Sequence, residues 1–510
     1  MTVFSTDASE GQQSVRKVLV IGLDAADPRL VEMWVGEGRL PNMEMMMREG
    51  ASGELISTFP PVTVPAWPCF ATGTTSAKNG VFGFWQTREE MADIKGKLLW
   101  EIIGEAGKKV GVMNVPCTYP PKRVNGFMIT GLMTPPEERV FTYPEELSAE
   151  LSLKYSYRIG PLFREDLYDA PPRGPFDREV YFEEFMRSEN VHAQVAMDLM
   201  DEYRPDFMMV VYRSPDEIGH YYWGYMDPEH VYYYSEDAAK FRNAIRKCYE
   251  EVDGIIGRML RRVDEDTVVI VMSDHGMGPP ARKMVNINQI LYDMGLLRAK
   301  GEDRTLEERI EADGKEWADE LTMEMWESWS ARWIDWSRTK AYFRGTGCQD
   351  EGGIDINLEG ERPFGIVKPG REYEELQDFI ISQLKSIEAP DGRNLFSDVR
   401  RREEEFRGPY IYLVPHVIFR LREGFRYSYR FGFGRRGEVI SCEEGKGRRE
   451  SWGVHRKEGV LMVVGPGIRK GCKIRGARIM DLAPTILYTM GIPVPSDMDG
   501  RVLEEIFEGR

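Results

Sequence analysis

The chain has 510 residues, 42% of them hydrophobic, enough to bury a sizeable core over about two to four domain-sized units. Its 84 acidic residues outnumber 67 basic ones for a formal net charge of −17, which speaks against a nucleic-acid backbone or an anionic membrane surface as the main partner. An anionic substrate must therefore be met locally, by metal or by clustered arginine.

Residues 1–15 are polar and read as a disordered or flexible lead without the apolar run of a signal peptide. No stretch of about 18 apolar residues occurs along the chain, so no membrane insertion is expected. The scattered cysteines Cys69, Cys117, Cys248, Cys348, Cys442 and Cys472 contain no CxxC pair. Reduced thiols and a cytoplasmic, soluble protein are the expectation.

Residues 17–23, KVLVIGL, are a short apolar run that predicts a buried strand ending at Asp24. Asp27 with Pro28 signals a helix start, and Leu30, Met33 and Trp34 follow at helical spacing. The segment 57–73, STFPPVTVPAWPCFATG, is rich in turn formers and hydroxyls, and 134–180 reads as an irregular excursion. Apolar runs recur at Phe207 to Tyr212 and at Val268 to Met272, each after a segment that can be helical. This alternation predicts an α/β class with a central, largely parallel sheet flanked by helices. In such sheets ligands gather outside the carboxyl ends of the strands, where Asp24, Asp216 and Asp274 lie.

Past residue 300 the character changes. Trp317, Trp326, Trp329, Trp333 and Trp336 lead into GGIDINLEGERPFGIV and a predicted helix, EYEELQDFIISQL. We read 301–425 as an inserted cap subdomain in a catalytic core made of 16–300 and 426–510. The run RRREEEFR, 400–407, reads as a solvated helix with mixed-sign pairs. FRYSYRFGFGRRGE, 425–438, interleaves arginine with aromatics as single-strand binders do; packed aromatics with solvated arginines are preferred, and a phosphate-gripping surface is the minority reading. GPGIRKG lacks the GKS or GKT of a phosphate loop and reads as a turn.

Three histidines stand in metal-like company: His220 in SPDEIGH, His275 in MSDHGMG and His455 in WGVHRKEG. Asp216 and His220, four apart, share one face of a helical turn. Asp274 and His275 are adjacent at a strand end, where a turn can direct both side chains into one pocket. Imidazole with carboxylate suits zinc, and more carboxylate suits manganese or iron. Each pair alone is a weak signal. Thr63 is one candidate nucleophile beside Thr58, Thr72, Thr74 and Thr75, which by default cap and close turns. His192, His230 and His416 lack acidic partners at ligand spacing and read as structural or surface histidines.

As a set, KVLVIGLDAADP, LPNMEMMMREGASGELISTFPPVTVPAWPCFATGTTSAKNGVFGF, RSPDEIGH, VMSDHGMG, GVHRKEGVLMVVGPGI and DLAPTILYTMGIPVPSDMDG resemble the alkaline phosphatase superfamily. More closely, they resemble its type I phosphodiesterase/nucleotide pyrophosphatase group and the related phosphohydrolases and phosphomutases. IDWSRTKAYF and GIDINLEG in the insertion extend the likeness.

The resemblance implies an alkaline phosphatase-like core and a phosphohydrolase that cleaves phosphodiester or phosphomonoester bonds of a small phosphorylated substrate rather than a nucleic-acid polymer. It implies that Asp24, Thr63, Asp274 and His275 surround one divalent ion, while Asp216, His220 and His455 hold a second. Zinc is the first choice, with manganese or iron as alternatives, and Thr63 is the nucleophile, its hydroxyl acidified by a cation. Where the nucleotide diesterases carry His-Gly and then Asn on a gapless count, this chain has Asn79-Gly80 and Phe84. Phe84 and Trp85 then either pack against an apolar leaving group or join the core; Phe84 and Arg213 are the substrate-binding candidates. The competing readings are a phosphomutase resembling cofactor-independent phosphoglycerate mutase, against which Thr63 counts because serine is usual there, and a catalytically silent ligand-binding member of the fold. A sulfatase is disfavoured because Cys117 begins CTYPPKR rather than CxPxR.

Overall fold

The computed structural model describes residues 16–159, 177–300, 334–428, 439–442 and 453–509. The 1–15 lead, Trp317, Trp326, Trp329, Trp333 and the arginine–aromatic stretch 429–438 lie outside them. In chain order the first strands are β1 (Lys17–Leu23), β2 (Ala51–Ile56), β3 (Val110–Val115), β4 (Gly126–Thr130), β5 (Thr142–Tyr143), β6 (Phe207–Tyr212), β7 (Thr267–Ser273), β8 (Gly276–Gly278) and β9 (Lys283–Val285). They are followed by β10 (Ala341–Arg344), β11 (Glu351–Ile356), β12 (Phe396–Arg401), β13 (Val417–Leu421), β14 (Phe425–Tyr427), β15 (Ile440–Cys442), β16 (Val454–Arg456), β17 (Glu458–Val464) and β18 (Cys472–Arg478). The helices that bear on function are α1 (Pro28–Gly36), α2 (Thr63–Thr72), α3 (Arg178–Tyr203), α4 (Ser214–Met226), α5 (Ala244–Leu260), α6 (Arg371–Ser386) and α7 (Leu482–Thr489).

Nine strands form one mostly parallel sheet in the order β18-β2-β17-β7-β1-β6-β3-β4-β5. Strand β1 is apolar on both sides because both faces of the sheet are covered. Leu19, Ile21 and Leu23 pack with Trp34 of α1 and with side chains of α3, α4 and α5. Val18 and Val20 turn the other way, toward Trp67 and Phe70 of α2 and Ile486 of α7. The helix α1 begins as expected, with Asp27 accepting from the N–H groups of Arg29 and Leu30. Its buried stripe is Leu30, Val31 and Trp34, while Met33, which the helical spacing also selected, is 45% exposed.

Two registers fix the working edge. Leu23 stands opposite Tyr212 of β6 and Ser273 of β7, all three strands running parallel. The residues that follow, Asp24, Arg213 and Asp274, therefore leave the sheet side by side. Gly22 is required just before this edge, because a Cβ there would lie 2.6 Å from the Trp67 ring. Trp67 is fully buried, so Trp67→Ala is expected to cost about 3–5 kcal/mol of stability. Urea unfolding should show this as a lower midpoint at unchanged slope; an unchanged midpoint would contradict the packing described.

A second sheet, antiparallel in the order β10-β11-β13-β12, is covered by α6. It holds a buried network of charges. Asp355 receives Arg362 at 2.8 Å and Arg344 at 3.2 Å, and His416 Nδ1, which accepts the Ile356 N–H at 3.1 Å, lies 3.2 Å from it. His416, fully buried, also faces Glu361 at 3.2 Å. Its acidic partners come from β11 and the turn after it, too far away in sequence for any local spacing to announce them, and the ring is structural.

The run 400–407 departs from the expected solvated helix as well. It is the end of β12 followed by a single 3₁₀ turn, Arg402–Glu404. Arg402 is 5% exposed; Glu361 holds its guanidinium at 3.0 Å and the Val414 carbonyl accepts from it at 2.9 Å.

Burial would raise Glu361, but the hydrogen bonds of His416 and Arg402 overcome it and hold this carboxyl at about 2 against 4.5 when free. A depressed carboxylate contributes stability in full above its unfolded value and loses it as pH falls through the folded one. Unfolding midpoints should thus fall between pH 4.5 and 2. Glu361→Gln should flatten that fall, and an identical pH profile would show that the network does not titrate as described.

Cys69, Cys117, Cys248, Cys348 and Cys472 are free. Among the described residues no helix is long and apolar enough to cross a membrane.

Candidate active site

Four elements converge at the carboxyl edge of the sheet. After β1, Asp24 is followed by Ala25 in the left-handed region, φ 58°, and the Ala25 N–H donates to Asp274 Oδ1 at 3.1 Å. After β7 come Asp274 and His275, both fully buried. The short ribbon of β8 and β16 sets His455 opposite Met277 and stacks its ring on that of His275, centroids 4.0 Å apart. After β6, α4 carries Asp216 and His220 one turn apart. Gly453 and Gly219 bring these last two elements close, since a Cβ on Gly453 would lie 2.6 Å from the Gly219 carbonyl oxygen.

Thr63 is the first residue of α2. The segment, rich in turn formers by sequence, is helical from here on, even with Pro65 and Pro68. Proline is tolerated in a first turn, where amide groups have no helical partner. Pro68 leaves the Val64 carbonyl without a helical donor, and the Cys117 thiol donates to it at 3.9 Å. Thr63 is 4% exposed, and its Oγ1 lies 3.4 Å from Asp24 Oδ1 and 3.3 Å from His275 Nε2. By contrast, Thr58 donates to the Pro60 carbonyl and Thr72 to that of Pro68, the local closures expected of turn threonines.

The second half of the cluster is equally close. His220 Nε2 and His455 Nε2 lie 2.9 Å apart, each 3.2 Å from Asp216 Oδ1. Ligand atoms of Asp24, Asp274 and His275 lie within 4.8 Å of one another, and so do those of Asp216, His275 and His455. His275 thus belongs to both groups, where the resemblance assigns it to one.

The donors suit divalent cations. His220 Nδ1 is 2.7 Å from the Gly453 carbonyl and His275 Nδ1 is 3.2 Å from that of Gly276. A carbonyl can only accept, so both Nδ1 atoms donate, and in the neutral form each ring turns its Nε2 lone pair inward, as metal-ligating histidines do. Asp24 Oδ2 and Asp274 Oδ2 are buried without a hydrogen-bond partner.

The electrostatics agree. Burial, then the charges of Asp274 and Asp216, raise Asp24 well above the usual carboxylate range. Burial pushes Asp274 up to about 8 against hydrogen bonds from the backbone. Burial lowers His275, helped by the charge of His455, and lowers His455 despite its hydrogen bond to Asp216. Between Asp216 and His220 attraction outweighs burial, so His220 rises to about 8 and Asp216 falls well below its ordinary value. A bound cation favours carboxylate and neutral imidazole together, which relieves the carboxyls that resist ionising.

The substrate-binding candidates fare differently. Arg213 caps the start of α4, and its guanidinium pairs with Glu217 at 2.5 Å. Tyr181 donates to the other oxygen of Glu217 at 2.8 Å. Glu217 went unnoticed in the sequence, although it adjoins Asp216 and follows Arg213 at a helical ion-pair spacing. Phe84 stands 38% exposed, while its neighbours Phe82 and Trp85 pack with Phe59 and Phe406. Asn79 is fully buried and accepts from the Val81 N–H at 3.0 Å, a turn-closing role.

The family described as type I phosphodiesterase / nucleotide pyrophosphatase matches residues 18–439. No curated protein matches the chain. Among solved structures, human ectonucleotide pyrophosphatase/phosphodiesterase 5 aligns at 12% identity and a TM-score of 0.49, over 97% of this chain and 100% of its own. The murine protein of that name aligns at 14% identity and 0.46, and its inactive variant in complex with AMP at 13% and 0.46, each over 94% of this chain and 96% of its own.

Proposed function

The chain belongs to the type I phosphodiesterase/nucleotide pyrophosphatase family, and from that membership we propose a metal-dependent phosphohydrolase with Thr63 as nucleophile. The observation that carries the proposal is the meeting of the Thr63 hydroxyl with Asp24 and His275 at 3.4 and 3.3 Å, beside carboxylate oxygens buried without partners. Asp24, Asp274 and His275 would hold one divalent ion, and Asp216, His220 and His455 the other, with His275 placed to reach both. Zinc is the first choice and manganese or iron the alternatives. When bound, the ions would acidify the nucleophile's hydroxyl and offset charge on the phosphoryl oxygens.

The residues do the rest. Thr63 Oγ1 bonds to phosphorus while the bond to the leaving oxygen breaks, and the proton that Thr63 releases reaches the leaving oxygen through solvent. Water then attacks the phosphothreonine ester, the bond from phosphorus to Oγ1 breaks, and Thr63 regains its proton. Its place at the first turn of α2 puts the developing negative charge at the positive end of the helix dipole. A panel of chromogenic phosphomonoesters and phosphodiesters, assayed with added zinc or manganese, tests the activity. Turnover of none of them by metal-loaded protein would contradict it.

We further propose that the second sheet caps this site and sets substrate choice. Three successive residues after His455 are tied to it: Arg456 to Asp350 at 3.9 Å, Lys457 to Glu351 at 3.1 Å and Glu458 to Arg420 at 2.9 Å. Phe59, four residues before Thr63, packs with Phe406 and Ile418 of the same unit. A folded variant with 301–425 replaced by a short linker should alter the ratio of diester to monoester turnover. An unchanged ratio would remove the cap from specificity.

A further inference from the structure

One buried carboxylate takes no part in the chemistry above. Glu189 lies midway along α3 and is 2% exposed, a position where an uncompensated charge is costly. Its Oε1 accepts the N–H of Arg213 at 2.8 Å and that of Ser214 at 2.9 Å. These are the capping and first residues of α4, which has no side-chain cap of its own. Every helix leaves its first four amides without a helical partner. Two of those at the start of α4 are therefore satisfied from a different helix, whereas a local Ser or Asp cap usually supplies one bond.

The other oxygen faces a different problem. Glu189 Oε2 has no hydrogen-bond partner and lies 3.7 Å from His192 Nδ1. His192 Nε2 is 2.8 Å from the Arg158 carbonyl, so Nε2 donates, and when the ring is neutral Nδ1 offers only a lone pair. In that form two acceptors lie 3.7 Å apart beside a cavity of about 20 Å³ that Asn114, Ser188 and Arg213 also line. That is room for one water, and one water can donate to both. His192 had seemed without acidic company in the sequence, yet Glu189 precedes it by one helical turn.

We infer that Glu189 is a positioning residue: capping α4 from α3, with a single buried water beneath it, it aims Asp216 and His220 into the site. The inference rests on the reading of Asp216, His220 and His455 as ligands of a divalent ion. Glu189→Gln keeps an oxygen for both amides, and its amide group can donate to His192 in place of the water. Glu189→Ala keeps neither.

In zinc titrations of the metal-stripped full chain, Glu189→Ala should weaken one of two bound ions by about 10–100-fold, as loss of outer partners does, and leave the other unchanged. Glu189→Gln should bind both like the parent. Amide exchange across 213–220 should quicken about tenfold in Glu189→Ala and stay protected in Glu189→Gln, since two hydrogen bonds are lost in one and kept in the other. Should Glu189→Ala fail to fold, Glu189→Asp, whose carboxylate is withdrawn by one methylene, carries the same comparison. Equal zinc affinity in all variants, or unchanged exchange at the start of α4, would overturn the inference. A parent chain that takes up fewer than two zinc ions would instead refute the metal reading, and the exchange result would still decide the cap.

Discussion

Thr63→Ala is expected to lose nearly all turnover while the protein stays folded. The two effects separate because the side chain does different amounts of work in each. For the fold, the hydroxyl offers one long contact to Asp24 at 3.4 Å and one to His275 at 3.3 Å, worth about 1 kcal/mol at most. Alanine is also a good helix former at the first position of α2. For the proposed reaction, Oγ1 is the atom that would bond to phosphorus, and removing a nucleophile costs about 10⁴-fold or more in kcat where a covalent intermediate is used. Thr63→Ser should retain part of the activity, because the oxygen remains while the methyl that restricts its rotamer is lost. Steady-state kinetics beside urea unfolding measures both. An alanine variant with a tenth of the parent's turnover would make Thr63 a structural residue.

Removal of the metal should be as damaging, and the geometry says which ligand matters most. Exhaustive chelation is expected to abolish turnover, and added zinc or manganese to restore it. His275 lies in both ligand groups, Asp24–Asp274–His275 and Asp216–His275–His455, so His275→Ala should weaken both ions. His455 lies in one, so His455→Ala should weaken one preferentially. Elemental analysis of zinc-loaded variants separates the cases. Two ions retained at full affinity in His275→Ala would contradict the shared position, and full activity after chelation would contradict metal dependence altogether.

The readable parts of this protein were those written in local pattern. Runs such as KVLVIGL are apolar at every position because helices cover both faces of the sheet, and the strands and the acidic residues at their ends follow from that. Asp216 and His220 were readable because a helical turn pairs residues four apart. What sequence could not supply were partnerships across the chain. His220 meets His455, 235 positions further along the chain, through a ribbon too short to announce itself. Arg402 looked like a solvated charge in RRREEEFR, yet its partners Glu361 and Val414 arrive from other turns. The helix at Thr63 was hidden by Pro65 and Pro68, which read locally as breakers but are accommodated by the first turn and by the thiol of Cys117. Glu189 could be seen only once α3 lay against α4.

The central claim, that Thr63 forms a covalent bond to the transferred phosphoryl group, is tested most directly by the stereochemistry at phosphorus. A chiral thiophosphate ester, hydrolysed by the metal-loaded protein in isotopically labelled water, reports it. Two successive in-line displacements, by Thr63 and then by water, each invert the centre, so net retention of configuration is the expected result. Net inversion would mean that water attacks the substrate directly, and Thr63 would then have no bond to phosphorus at any stage.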